Sequence, residues 1–238
     1  MPQYSDDLWL GAATGPQSQG WAGPGQVFAG VGPLGRTYTF DAVPAAKSAT
    51  AVCAAQAAGA AGALSINGAS ASGGVATFDY ARCVNVDTTD TGNTTQIVTV
   101  TGTDYWGQAQ TEDIACNGTT LVAGQKAFKT VTSVYVDDAI TGTILIGNED
   151  TFGLPYRVTD AGYLFRLGWA GALANDTSGT FVAADTATAT ATTGDVRGTF
   201  TPSSAANGTR RLVIGIALTG AQAGPNATQT AAIGVTPA

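Results

Sequence analysis

Apolar residues alternate with small polar ones along most of the chain. From residue 63 onward the segments ALSIN, GVATFDY, ARCVNV, TQIVTVTGT, AQTEDIAC, TTLVAG, AFKTVTSVYV and TGTILIG follow one another, each short and rich in β-branched or aromatic residues. Period-two alternation of this kind predicts half-buried strands. In TQIVTVTGT, Ile97, Val98 and Val100 alternate imperfectly with threonine. Asn67-Gly68 and Asn117-Gly118 are tight-turn signals between such runs. Short strands at this spacing imply an antiparallel sandwich or jelly-roll-like domain.

The flanking segments complete the prediction. Arg36 to Val43 (RTYTFDAV) alternates as a strand, and Pro44 to Ala58 (PAAKSATAVCAAQAA) reads as one short helix. Asp41 lies just upstream of that helix, Pro44 suits its first turn, and Gly59 can end it. Residues 1–35 interleave proline and glycine with Tyr4, Trp9, Trp21 and Phe28, too densely for helix or strand. Two readings of this segment stand: a loop packed on its own domain, or an extended arm whose aromatics anchor in a neighbouring subunit. The chain thus divides into an N-terminal arm, 1–35, and a β-rich domain, 36–238. A junction between two packed subdomains is placed near 153–170, where Pro155, Tyr156, Tyr163, Phe165 and Trp169 gather. Residues 174–198 read as a long loop rich in threonine and alanine. RRLVIGIALTG reads as an apolar central strand, and GPNATQTAAIGVTPA as an edge strand or a tail. The fold class is mainly β.

Composition then removes whole classes of function. The 238 residues carry 44% apolar side chains, a globular proportion, but only 11% charged ones, against roughly 25% in an ordinary domain. The formal charge is −7 with no basic run, so neither nucleic acid nor an anionic membrane finds an electrostatic partner. No apolar run approaches the ~20 residues of a membrane span. The opening MPQYSDDLWLG has no secretory pattern, which predicts synthesis in a cytosol. Histidine is absent, which excludes Ser-His-Asp and Cys-His catalysis and histidine metal sites. Cys53, Cys83 and Cys116 are odd in number and far apart, as expected of small buried hydrophobes.

Four groups of residues carry candidate chemistry. Asp90-Thr91-Gly92 spells the aspartic-protease triplet, but its flanks are polar and it occurs once, so a turn is expected. Asp87, Asp90 and Asn93 offer oxygen ligands without the spacing or bidentate glutamate of a calcium loop, and again a turn is expected. Asp137, Asp138, Glu149 and Asp150 could pair for glycoside hydrolysis, yet solvated carboxylates at strand ends are the default. Arg210 and Arg211, with Arg197 and Arg166, either pair with carboxylates of another subunit or solvate a strand end. No catalytic, cofactor-binding or metal-ligating residue is assigned, and no cofactor is expected.

Seven stretches carry a resemblance: YSDDLWLG, VGPLGRTYTFDAVP, AAQAAGAAGALSING, VTVTGTDYWGQAQTEDI, GQKAFKTVTSVYV, GLPYRVTDAGYLFRLGW and TGDVRGTFTPSSAANGTRRLVIGIAL. In these the chain resembles a group of tailed-bacteriophage virion structural proteins, with TGTDYWGQ, KAFKTVTSV and GDVRGTFTPSS as its signature blocks. The resemblance implies a virion component on the capsid surface, made in the host bacterial cytoplasm. Its implied role is that of a decoration or cement protein, whose partners are the major capsid protein and further copies of itself in a homotrimer or homodimer. The alternative is a tail, neck or fibre-base protein, or a module binding host glycans. The group has no catalytic residues to carry over. Candidate interface residues are Tyr4, Trp9, Trp21, Phe28, Trp106, Arg210 and Arg211.

Overall fold

A computed structural model describes residues 8–9, 34–172, 174–190, 193–219 and 234–237. The described residues form fourteen strands, all paired antiparallel, and two sheets. In chain order the strands are β1 (Leu8–Trp9), β2 (Leu34–Ala42), β3 (Cys53–Ala58), β4 (Gly62–Ala63), β5 (Ala71–Ser72), β6 (Val75–Thr88) and β7 (Ile97–Thr103). β8 (Ala109–Ala115), β9 (Val122–Val136), β10 (Ile140–Gly153), β11 (Leu164–Trp169), β12 (Thr180–Val182), β13 (Thr199–Thr201) and β14 (Leu212–Thr219) follow.

The larger sheet has ten strands along the path β12-β13-β10-β6-β9-β7-β8, with β3 on β10, β4 on β9 and β5 on β6, and it curls into a half-barrel. The smaller sheet runs β1-β2-β14-β11. The mainly β, sandwich-like class expected from the alternation is therefore present. Several expected short strands are halves of longer ones. GVATFDY and ARCVNV form β6, TTLVAG and AFKTVTSVYV form β9, and TGTILIG is the first part of β10.

The predicted helix over 44–58 does not form. Residues 43–48 run irregularly, turns and bends occupy 49–52, and Cys53–Ala58 is a strand on β10. The reason is tertiary. Ala51, Val52 and Cys53 are buried, and the Ser48 carbonyl lies so close to Gly147 of β10 that a Cβ there would collide with it. Alanine's helix preference, worth under ~1 kcal/mol per residue, yields to that burial. The one helical turn among the described residues is a three-residue 3-10 turn, Ala161–Tyr163.

Two cores result. Val84, Val86, Val98, Val100, Phe128 and Ile144 belong to the first, inside the curl of the larger sheet. The second lies between the sheets, where Leu212, Ile214 and Ile216 of β14 meet Tyr80, Phe152 and Phe200. Residues 153–170, where the sequence suggests a junction, carry the chain from β10 to β11 and give Leu154, Val158 and Leu164 to this second core. β14 pairs with β2 on one side and β11 on the other, as an apolar central strand should.

β2 begins at Leu34, inside the segment read as an arm, and Leu8 and Trp9 pair with Thr37 and Arg36 of the same chain. Tyr4, Trp21 and Phe28 lie outside the described residues.

Candidate functional site

The turn between β7 and β8 is built by one buried carboxylate. Asp104 Oδ1 accepts the backbone N–H groups of Trp106 and Gln108, both at 2.8 Å, and Gly107 supplies the left-handed residue at φ +79. Asp104 Oδ2 pairs with Arg197 Nη2 at 2.6 Å, with both side chains buried. Arg197 was expected at an interface or in solvent; instead it closes this internal pair.

Two residues earlier, Asp195 Oδ1 accepts the Arg197 N–H at 2.8 Å and Oδ2 accepts that of Ala127 at 3.1 Å. Gln110 Nε2 donates to the Ala127 carbonyl at 2.8 Å. Asp104 and Gln110, Ala127, and Asp195 with Arg197 come from three separate stretches of the chain and meet in one buried knot.

Among the described residues, the first half of β9 has a strand neighbour on its β6 side only. β7 pairs with β9 only from Thr130 to Val136, and on the β6 side a register shift lies between Ala127 and Ala123. Backbone groups there must be satisfied by other means. Glu112 Oε1 accepts from the N–H groups of Gln125 and Lys126, and Lys126 Nζ returns a bond to the Thr111 carbonyl at 2.8 Å. β8 and the first half of β9 are thus stitched by side chains, without a backbone ladder.

Burial raises the Asp195 carboxyl, with Arg197 opposing the rise, and pushes Glu112 up to about 7 against the pull of its two amide donors and Lys126. These acids hold backbone in place.

A groove opens beside the knot. Along β6, Thr77 pairs with Thr130 and Arg82 with Phe128, so Phe78 to Ala81 stand opposite Lys129 alone. A second shift, between Asn148 and Phe152 of β10, falls at the same level. Bulges re-aim side chains, and this one turns Asp79 and Tyr80 out of the ladder. Lys129 Nζ holds the bulge by donating to the carbonyls of Phe78 (2.7 Å) and Asp79 (3.0 Å). Asp79, Tyr80 and Lys129 line a groove of about 530 Å³ with Phe40, Tyr105 and Trp106, and Asp41 reaches it from β2.

Trp106 is 44% exposed, yet its ring is fixed: Nε1 donates to the Pro155 carbonyl at 2.8 Å, and Tyr105 stands edge-on at 5.1 Å. Of the residues singled out in the sequence, Trp106 is on this groove, and Arg211 reaches its rim by pairing with Asp41 at 3.5 Å. Arg210 lies elsewhere, over the Trp169 ring at 5.8 Å and bonded to Ser204 Oγ at 2.7 Å.

The other candidates resolve into structure. Asp90 Oδ1 accepts the Gly92 N–H at 2.8 Å, the expected turn, and Asn93 Nδ2 ties it to the Thr141 carbonyl at 2.9 Å. Asp137 and Asp138 accept the N–H groups of Ile97 and Ala139, both at 2.7 Å, in the exposed link between β9 and β10. Glu149 and Asp150 depart from the expected solvated strand ends. They lie within β10, where Glu149 pairs with Lys47 at 2.7 Å and buried Asp150 accepts the Ala206 N–H at 3.1 Å. Arg166 binds the carbonyls of Leu167, Trp169, Ala172 and Ala174, fastening its own loop instead of a neighbour. The three cysteines are free and buried, and among the described residues no group of three or more Asp, Glu or Cys gathers as it would around a metal ion. No described helix is long and apolar enough to cross a membrane.

Asp79, Tyr80 and Lys129 were missed by sequence reasoning because GVATFDYARCV alternates like an uninterrupted strand and gives no sign of the bulge. No family model, curated protein or solved structure matches the chain.

Proposed function

We propose that the protein is a structural component of a tailed-bacteriophage virion, a decoration or cement protein that binds the major capsid lattice. The observation that carries this reading is the buried knot. TGTDYWGQ, KAFKTVTSV and GDVRGTFTPSS are the blocks on which the resemblance rests, and residues of all three converge on Ala127 and the Asp104–Arg197 pair. The three blocks thus build one and the same part of the scaffold.

The physical character of the domain agrees with the role. Several of its acidic groups, Asp104, Glu112 and Asp195 among them, cap backbone, and its surface keeps exposed apolar residues such as Phe165, Tyr135 and Leu121 available for contact. A lattice protein acts in many copies, so modest interfaces suffice when repeated.

Quantitative mass spectrometry of purified particles tests the reading. A simple ratio to the major capsid protein is expected. A handful of copies per particle would move the protein to the tail, neck or fibre base, and absence from particles would overturn the proposal.

A further inference from the structure

We propose that the groove between Trp106 and Asp79 is a carbohydrate site that takes a pyranose unit of an oligosaccharide. Four observations point there. The Trp106 ring is both exposed and immobilised by its bond to the Pro155 carbonyl, so stacking on it costs little ordering. Tyr105 stands beside it at an interplanar angle of 84°, giving the groove a second aromatic wall. Tyr80, 3% exposed, adds a third aromatic residue to the same lining. Finally, Asp41, Asp79 and Lys129 bring carboxylates and an ammonium to the same walls.

The mixture selects the ligand class. A pyranose has an apolar face of C–H groups for an aromatic ring and a rim of hydroxyls for carboxylate and ammonium. A peptide strand would need unpaired backbone, and three main-chain groups nearby are already bonded. Pro44 O accepts from Gly208, Ala45 N donates to Asp79, and the Asp79 carbonyl takes Lys129. A nucleotide would bring its phosphate against Asp41 and Asp79. The volume, about 530 Å³, lies within the usual range of small-molecule sites. The proposal rests on the groove alone and does not depend on the particle reading.

The test titrates the full chain with maltotriose and with triacetylchitotriose, following tryptophan fluorescence and saturation-transfer NMR. Saturable binding of at least one trisaccharide is expected, with ring protons showing contact to aromatic side chains. Trp106→Ala should weaken it by about tenfold, the size of one good aromatic contact. Asp41→Asn should weaken it by about threefold or more with an unchanged melting temperature, because Asp41 is exposed and outside both cores. That second variant keeps the test decisive where Trp106→Ala disturbs its turn. Failure of both sugars to saturate, binding undiminished in Asp41→Asn and in a folded Trp106→Ala, or competition by a proline-rich peptide would each overturn the proposal.

Discussion

Glu112→Gln should make this protein more stable at alkaline pH and remove a large part of its pH dependence. Glu112 points inward from β8 and is 4% exposed; Oε1 takes the amides of Gln125 and Lys126, while Oε2 has no hydrogen-bond partner. Burial raises the carboxyl from the ordinary 4.5 to about 7. The folded state therefore holds a proton that the unfolded chain has released between those two values. Stability falls as pH rises through that window, and the full cost stands above about 7.

The interval corresponds to about 3 kcal/mol, of which about 2.5 falls between about pH 5 and about pH 8. Glutamine keeps the carbonyl that accepts both amides and has no proton to lose. It leaves a buried amide donor underused, at a cost of about 1 kcal/mol. The net expectation is a gain of about 2 kcal/mol near pH 8 and a small loss near pH 5. Urea unfolding of both proteins at the two pH values reads the difference directly. Parallel pH profiles for variant and wild type would refute the reasoning, because the seam would then not contain a carboxyl that titrates with folding.

Other substitutions probe separate features. Phe152→Ala removes a fully buried ring of the second core and should cost about 3–5 kcal/mol by denaturant unfolding. Asp104→Ala removes the carboxylate paired with the buried Arg197 guanidinium and should cost a similar ~3–5 kcal/mol, part of which returns in the Asp104→Ala, Arg197→Met double variant in a mutant cycle. Gly102→Ala would drive a methyl into the Thr130 carbonyl between β7 and β9, so loss of soluble folded protein is expected on size exclusion. Gly59→Ala meets open space and should raise stability by about 0.4–1 kcal/mol, visible as a higher melting temperature.

The sequence made the larger sheet legible because alternation survives wherever one face is buried. Val98 and Val100 point inward from β7 while the neighbouring threonines are half-exposed, and the pattern reads directly. β14 was equally plain, being apolar on both sides of its central position. The helix over 44–58 misled because alanine serves two ends: it favours helices in isolation, and it also fits where a backbone must lie almost against Gly147. The groove was only half legible. Trp106 stood out as a bulky residue in a turn, whereas Asp79 and Lys129 owe their positions to a bulge that depends on pairing between residues some fifty positions apart. Glu112 and Asp195 were likewise passed over, since acids that cap backbone look like any surface acid until the missing strand is seen.

The side-chain stitching of β9 has a consequence for how the chain is made. During synthesis the first half of β9 emerges soon after β8, so Glu112 and Gln110 are at hand when Lys126 and Ala127 leave the ribosome. The partner for the Ala127 amide, Asp195, lies 68 residues further on. Until that residue is translated the knot stays unfinished, and the partner of Asp104 in the turn is missing as well. Closure of the knot therefore waits for a late part of the message. The core of the larger sheet is complete by Ile146, while a chain stalled before residue 195 leaves the Ala127 amide and the Asp104 carboxylate without these two partners.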